Sequence, residues 1–125
     1  MSSSEIYRSW VEINLAALSF NLRRLRSLHP KCDVIGVAKA DAYGHGTFCV
    51  TRALAKEGVR IFAVANISEA EIVSRAAPRS DVLFLSPVLP EEVSAVVGHQ
   101  RWIPTISNET ELRAFEREGM RDPFS

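Results

Sequence analysis

Cysteine is nearly missing from this chain: Cys32 and Cys49 are the only two among 125 residues. Two thiols at irregular spacing exclude a disulfide framework and a cysteine-ligated zinc site. Both are read as free thiols of a reducing compartment, with the cytoplasm as the expected location. An excess of one charge is missing as well. Fifteen basic residues offset fifteen acidic ones, which speaks against nucleic acid or an anionic membrane as a partner. No apolar run approaches the roughly 20 residues of a membrane span. The first residues, Met1-Ser2-Ser3-Ser4-Glu5, lack the basic and apolar regions of a signal peptide. Low-complexity segments and sequence repeats are also missing. What is present, at 46% hydrophobic content, fits one ordinary globular domain.

The patterning then shows regular alternation. Trp10 to Ile13 is a short strand candidate, with Asn14 placed to cap a helix. Leu15, Leu18, Leu22 and Leu25 recur at helical steps with Arg23, Arg24 and Arg26 between them as a solvated face, and Pro30 ends the run. Four apolar segments follow: Val34–Ala38, Ile61–Ala65, Asp81–Leu85 and Trp102–Thr105, the last weakened by Pro104. Each precedes a helical pattern. The first helix is expected from Thr47 as N-cap to Glu57, stopped by Gly58. The second opens at Ser68 with Glu71 completing a capping box and fades by Pro78; the third runs from Pro90 to Gly98. The fourth begins at Asn108, with Glu111 three residues on, and ends at Gly119. Units of about 20 to 25 residues are what βα repeats need. Strands that read as continuous apolar runs are buried on both faces. A (β/α)8 barrel and an open doubly wound sheet both satisfy this pattern, and periodicity does not separate them.

One stretch organises the rest, Val37-Ala38-Lys39-Ala40-Asp41-Ala42-Tyr43-Gly44-His45-Gly46. It places a lysine where a strand ends and a βα loop begins, the edge at which parallel α/β folds do chemistry. A partly desolvated amine there suits covalent attachment or proton transfer. On the local pattern alone, a lysine that merely snorkels its ammonium out of a strand end is the better fit.

The eight residues Lys39 to Gly46 resemble the pyridoxal-phosphate attachment segment of alanine racemases, a lysine followed by Ala-(Asn or Asp)-Ala-Tyr-Gly-His-Gly. Trp10-Val11-Glu12-Ile13-Asn14-Leu15-Ala16-Ala17-Leu18 is similar to the start of the same family. The resemblance implies the N-terminal part of a (β/α)8 TIM-type barrel: about four βα units spanning residues 1–125, ending before barrel closure, without the C-terminal β domain. Met1 is taken as a true start, with the truncation at the other end.

The resemblance further implies pyridoxal 5'-phosphate as cofactor and Lys39 as the lysine that holds it and serves as one of two acid–base groups. It implies interconversion of L-alanine and D-alanine for peptidoglycan synthesis in a homodimeric full-length parent. The opposite base would be a tyrosine of the partner subunit's C-terminal domain, a role not given to Tyr7 or Tyr43. Tyr43 is expected to reach the cofactor phosphate, with packing at the barrel rim as its plain structural role. Strand alternation puts Ile35, Val37 and Lys39 on one face, and Leu83 and Leu85 likewise. On that face Val37 and Leu85 either line the cofactor pocket or serve only as core. Gly44 and Gly46 suit a tight loop, backbone N–H groups near Thr47 are open to an anion, and His45 is expected to brace the loop by hydrogen bonds. The alternatives are a non-catalytic pyridoxal-phosphate-binding barrel and a truncated product that binds nothing.

Overall fold

The computed structural model describes residues 8–119. Asn14 opens the first helix, α1 (Leu15–Leu28), by accepting the Ala17 N–H on its side-chain oxygen at 2.9 Å. Leu22 is the residue of α1 that reaches the core, and the helix ends two residues before Pro30, with His29 as its cap. Its arginines are not all solvated. Arg23 forms a two-point ion pair with Glu57, at 2.8 and 2.5 Å, and Arg26 donates to the Glu57 carbonyl. A planar guanidinium matches a carboxylate in this two-point way, so two of the three arginines fasten α1 to the end of a later helix.

Trp10–Ile13 forms no strand. Val11 and Ile13 border the same hollow as Val37, but no backbone ladder joins this segment to the sheet among the described residues. A β pattern without a partner edge leaves its N–H and C=O groups to water, and Trp10 and Val11 are exposed.

The sheet has four parallel strands in sequential order: β1 (Ile35–Val37), β2 (Ile61–Val64), β3 (Asp81–Phe84) and β4 (Trp102–Ile103). The intervening helices are α2 (Thr47–Lys56), α3 (Ile67–Ala76), and a 3₁₀ turn Pro90–Glu92 leading into α4 (Val93–Val97). The helix α5 (Glu109–Gly119) follows β4. Strand β4 stops just before Pro104, whose missing N–H cannot extend the ladder.

The core lies on one side of the sheet. Phe62, Val64, Val82 and Phe84 alternate onto the helix-facing side, each at most 1% exposed, against Ala70, Val73, Val93 and Val96. Burying side chains of this size is worth about 1.5–3 kcal/mol each. Trp102 closes the layer, edge-on to Phe84 with ring centres 5.5 Å apart, and its indole N–H donates to Ser74 Oγ. The other side of the sheet is largely uncovered, although Ala63 at its middle is buried. Ile35, Val37, Leu85 and Ile103 are each more than 40% exposed. The strands are thus buried on one face here, where the apolar runs predict burial on both.

Candidate functional site

The register aligns Val37, Ala63, Leu83 and Ile103 in one row across the bare face. Beyond this row, at the carboxyl edge, Leu85 directly follows β3 and donates its N–H to the Val64 carbonyl at 2.8 Å. Lys39 is half-buried and lies two residues past the end of β1, after Ala38, whose backbone (φ −114°, ψ 9°) has left the extended region. Lys39, Val37 and Leu85 therefore lie at the same edge of the sheet. Tyr43 lies beyond them on the turn that follows, with its ring 61% exposed.

That turn has an unusual backbone. Lys39–Gly44 coils once, but Ala40, Asp41, Ala42 and Tyr43 have φ between +51° and +56°. This is a left-handed helical turn built without glycine, which costs L-residues roughly 1–2 kcal/mol each. Gly44 ends it at φ +82°, His45 returns to φ −93°, and Gly46 is again positive at φ +87°; a Cβ at either glycine would meet nothing within 4 Å. Backbone conformation, not space, calls for glycine at both.

A dense set of hydrogen bonds holds the turn. Ala42 donates to the Ala38 carbonyl, His45 to the Ala42 carbonyl and Gly46 to the Asp41 carbonyl. His45 Nδ1 lies 2.8 Å from the same Ala42 oxygen, which only accepts, so Nδ1 carries the proton. Asp41 Oδ1 accepts the Thr47 N–H at 2.9 Å, and Thr47 Oγ1 donates to the Ala38 carbonyl at 3.1 Å. Asp41 therefore caps α2. Thr47 is the first helical residue and is buried, Gly46 stands at the cap position, and the Thr47 N–H is already taken instead of being open to an anion.

The acid that reaches the turn from outside is Glu69. Its Oε1 accepts the Ala40 N–H at 2.8 Å and its Oε2 the Ala65 N–H at 2.7 Å. Helix α3 begins two residues earlier than its serine suggests, because Asn66, not Ser68, caps it by accepting the Glu69 N–H. The sequence signal was present in Asn66 and Glu69, spaced as a capping pair, but Ser68 and Glu71 offer the same spacing.

The donor set fits a pyridoxal phosphate. By residue type, an amine just past a strand end would offer an attachment point, the apolar Val37 and Leu85 at the same sheet edge a surface for a ring, and a phenol four residues on a donor for an anion. No group of His, Cys, Asp and Glu suited to a metal ion occurs among the described residues. No helix there is long and apolar enough to cross a membrane.

Comparison with known proteins bears on this geometry. The family model described as alanine racemase, N-terminal domain, matches residues 13–123. The alanine racemase of Methylacidiphilum infernorum is 40% identical over 119 residues, covering 91% of this chain and 30% of that protein. Among solved structures, alanine racemase of Clostridium difficile 630 in complex with cycloserine superposes with a TM-score of 0.83. It is 29% identical, covering 93% of this chain and 31% of that one. Alanine racemase from Bartonella henselae with covalently bound pyridoxal phosphate gives 0.75 at 25% identity, covering 87% of this chain and 32% of that one. The chain spans about 30% of the length of the relatives it matches.

Proposed function

The chain belongs to the alanine racemase family through its N-terminal domain, and from that premise we propose that it forms the lysine side of a pyridoxal-phosphate-dependent racemase site. The observation that carries the reading is Lys39 at the carboxyl edge of β1, followed by a left-handed turn with its own anchors. Bound pyridoxal phosphate would supply electron withdrawal that acidifies the substrate Cα–H. Lys39 Nζ would hold the cofactor and, once released by the substrate, serve one face of the substrate Cα, taking the proton there from one enantiomer and delivering a proton there when that enantiomer is formed. Val37 and Leu85 would wall the ring and keep water from the amine. The Tyr43 phenol would donate to the phosphate.

Inversion at Cα needs a second group on the opposite face. That group belongs to the part of the relatives this chain does not span. In a full-length homodimer the reaction would interconvert L- and D-alanine, furnishing D-alanine for peptidoglycan in the cytoplasm. The 125-residue chain alone would hold cofactor without racemising alanine at an enzymatic rate, since losing one acid–base group costs a factor of about 10² to 10⁴.

Incubation with pyridoxal phosphate, borohydride reduction and peptide mapping tests the reading. The label is expected on Lys39. A label on Lys31 or Lys56 instead, or none, would overturn it. Racemisation by the isolated chain at the rate of a full-length enzyme would overturn the division of labour between the two faces.

A further inference from the structure

The helix that carries Glu69 needs little from it. Asn66 already caps α3 by accepting the Glu69 N–H at 3.0 Å. A glutamate at this position of a capping pair ordinarily returns one side-chain oxygen to the backbone just before its own helix. Oε2 does so, accepting the Ala65 N–H at 2.7 Å. Oε1 leaves the helix and accepts the Ala40 N–H at 2.8 Å, across 29 residues of chain.

Of the two N–H groups joined in this way, that of Ala40 directly follows Lys39 and that of Ala65 directly follows the last residue of β2. The Ala40 nitrogen is bonded to the Lys39 carbonyl carbon, so holding it restrains the Lys39 ψ and with it the direction in which the Cα–Cβ bond leaves the backbone. Left-handed backbone at four successive L-residues persists only where its surroundings over-determine it. Asp41 restrains the turn from its far end, through Thr47. Glu69 restrains it from a different βα unit, at the lysine itself.

A carboxylate is suited to this task because both oxygens only accept. Glutamine of the same length has one accepting oxygen, and its amide hydrogens would oppose the second N–H. We infer that Glu69 is a positioning residue for Lys39, its carboxylate tying the lysine turn to the end of β2 and so setting where the amine points. The inference rests on the reading of Lys39 as the cofactor lysine.

Glu69→Gln is the informative variant. Its single oxygen keeps the bond to Ala65, just before its own helix, and releases Ala40, while Asn66 still caps the helix. Two readouts are taken on the 125-residue chain. One is amide hydrogen exchange at Ala40 and Ala65. The other is the rate at which pyridoxal phosphate with borohydride labels Lys39, with the circular dichroism of the bound chromophore. Exchange at Ala40 is expected to rise while Ala65 stays protected. Labelling of Lys39 is expected to slow about tenfold, as a misaimed reacting group should, and the chromophore's dichroism to collapse. A merely structural cap would move neither the Ala40 amide alone nor the dichroism.

Unchanged Ala40 exchange in Glu69→Gln would overturn the inference, as would labelling at the unmodified rate with dichroism intact. Failure of the unmodified chain to label Lys39 would overturn the cofactor reading. That failure is recognisable separately, because the Ala40 amide still distinguishes the two chains without cofactor.

Discussion

Asp41 lends a carboxylate oxygen to the Thr47 N–H at 2.9 Å, capping a helix from within a turn of the opposite hand. The contact needs an oxygen acceptor, not a charge, and Asp and Asn tolerate left-handed backbone better than most residues. Asp41→Asn should therefore leave stability almost unchanged. Asp41→Ala should lower it by about 1 kcal/mol, read as a shift of the denaturant midpoint at constant slope. Equal losses in the two variants would show that the charge matters instead.

Gly36 lies in β1 directly against Phe62. A Cβ there would stand 2.7 Å from Phe62 Cδ1 and 2.8 Å from Cε1. The ring is fully buried and has no room to yield. Gly36→Ala should destabilise the fold by about 1–3 kcal/mol, the usual cost of overpacking. Pairing it with Phe62→Leu should recover part of that loss; additive losses in the double variant would refute the clash.

Thr51 has the opposite defect. It is fully buried in α2, and its hydroxyl has no hydrogen-bond partner. An unsatisfied buried hydroxyl carries a desolvation cost of about 1–3 kcal/mol. Thr51→Val keeps the shape and removes the hydroxyl, so the thermal midpoint should rise. A fall would mean that the hydroxyl is satisfied in solution.

Two glutamates are expected to contribute to the loss of stability in acid. The Arg23 guanidinium holds Glu57 below the ordinary glutamate value of 4.5, and the Ser107 N–H, helped by the Ser107 hydroxyl and Asn108, does the same for Glu111. In both cases the unfolded chain binds protons more readily. Their contribution is thus complete above the ordinary value and is lost as pH falls through the lowered ones. The denaturant midpoint should drop over that window, and Glu57→Gln with Glu111→Gln should flatten the drop. An acid limb of the same steepness in the double variant would assign it to other carboxylates.

The bare face of the sheet should make the isolated chain associate. Ile35, Val37, Leu85 and Ile103 form an exposed apolar surface, and β1 and β4 are edge strands with parallel ladders open on one side. Light scattering behind size exclusion should show species heavier than a monomer, shifted toward monomer by Ile35→Thr with Ile103→Thr. A monodisperse monomer with one steep unfolding transition would show that this face is stable in water.

The alternation of strands and helices was legible because the strands are short apolar runs and several helices open on a capping side chain, as at Asn14 and Asn108. The strand expected over Trp102–Thr105 stops at Ile103, since Pro104 does more than weaken it. The errors occurred where several local solutions were equivalent. Ser68 and Asn66 are both good caps, and only the reach of Glu69 to Ala65 and Ala40 decides between them. Trp10–Ile13 reads as a strand because patterning reports the side chains and not whether an edge is available. The left-handed turn was signalled only at Gly44 and Gly46, since nothing in Ala40, Ala42 or Tyr43 marks positive φ. Glu69 itself was invisible as part of the site, because its second contact depends on a fold that brings residues 29 apart together.

The sequential strand order has a kinetic side. Each strand pairs with the strand of the preceding βα unit, and no later strand inserts between earlier ones. Every strand pairing therefore closes a loop of similar, modest length, and loop-closure entropy never rises steeply as the sheet grows. Such a chain can add one βα unit at a time, with Phe62 and Val64 docking before Val82 and Phe84 exist to help them. Growth in that order suits folding during synthesis, since the partner of each new strand is already in place when it emerges. The lysine turn, pinned by Asp41 from its own unit and by Glu69 from the next, would then acquire its final shape only when the second unit closes.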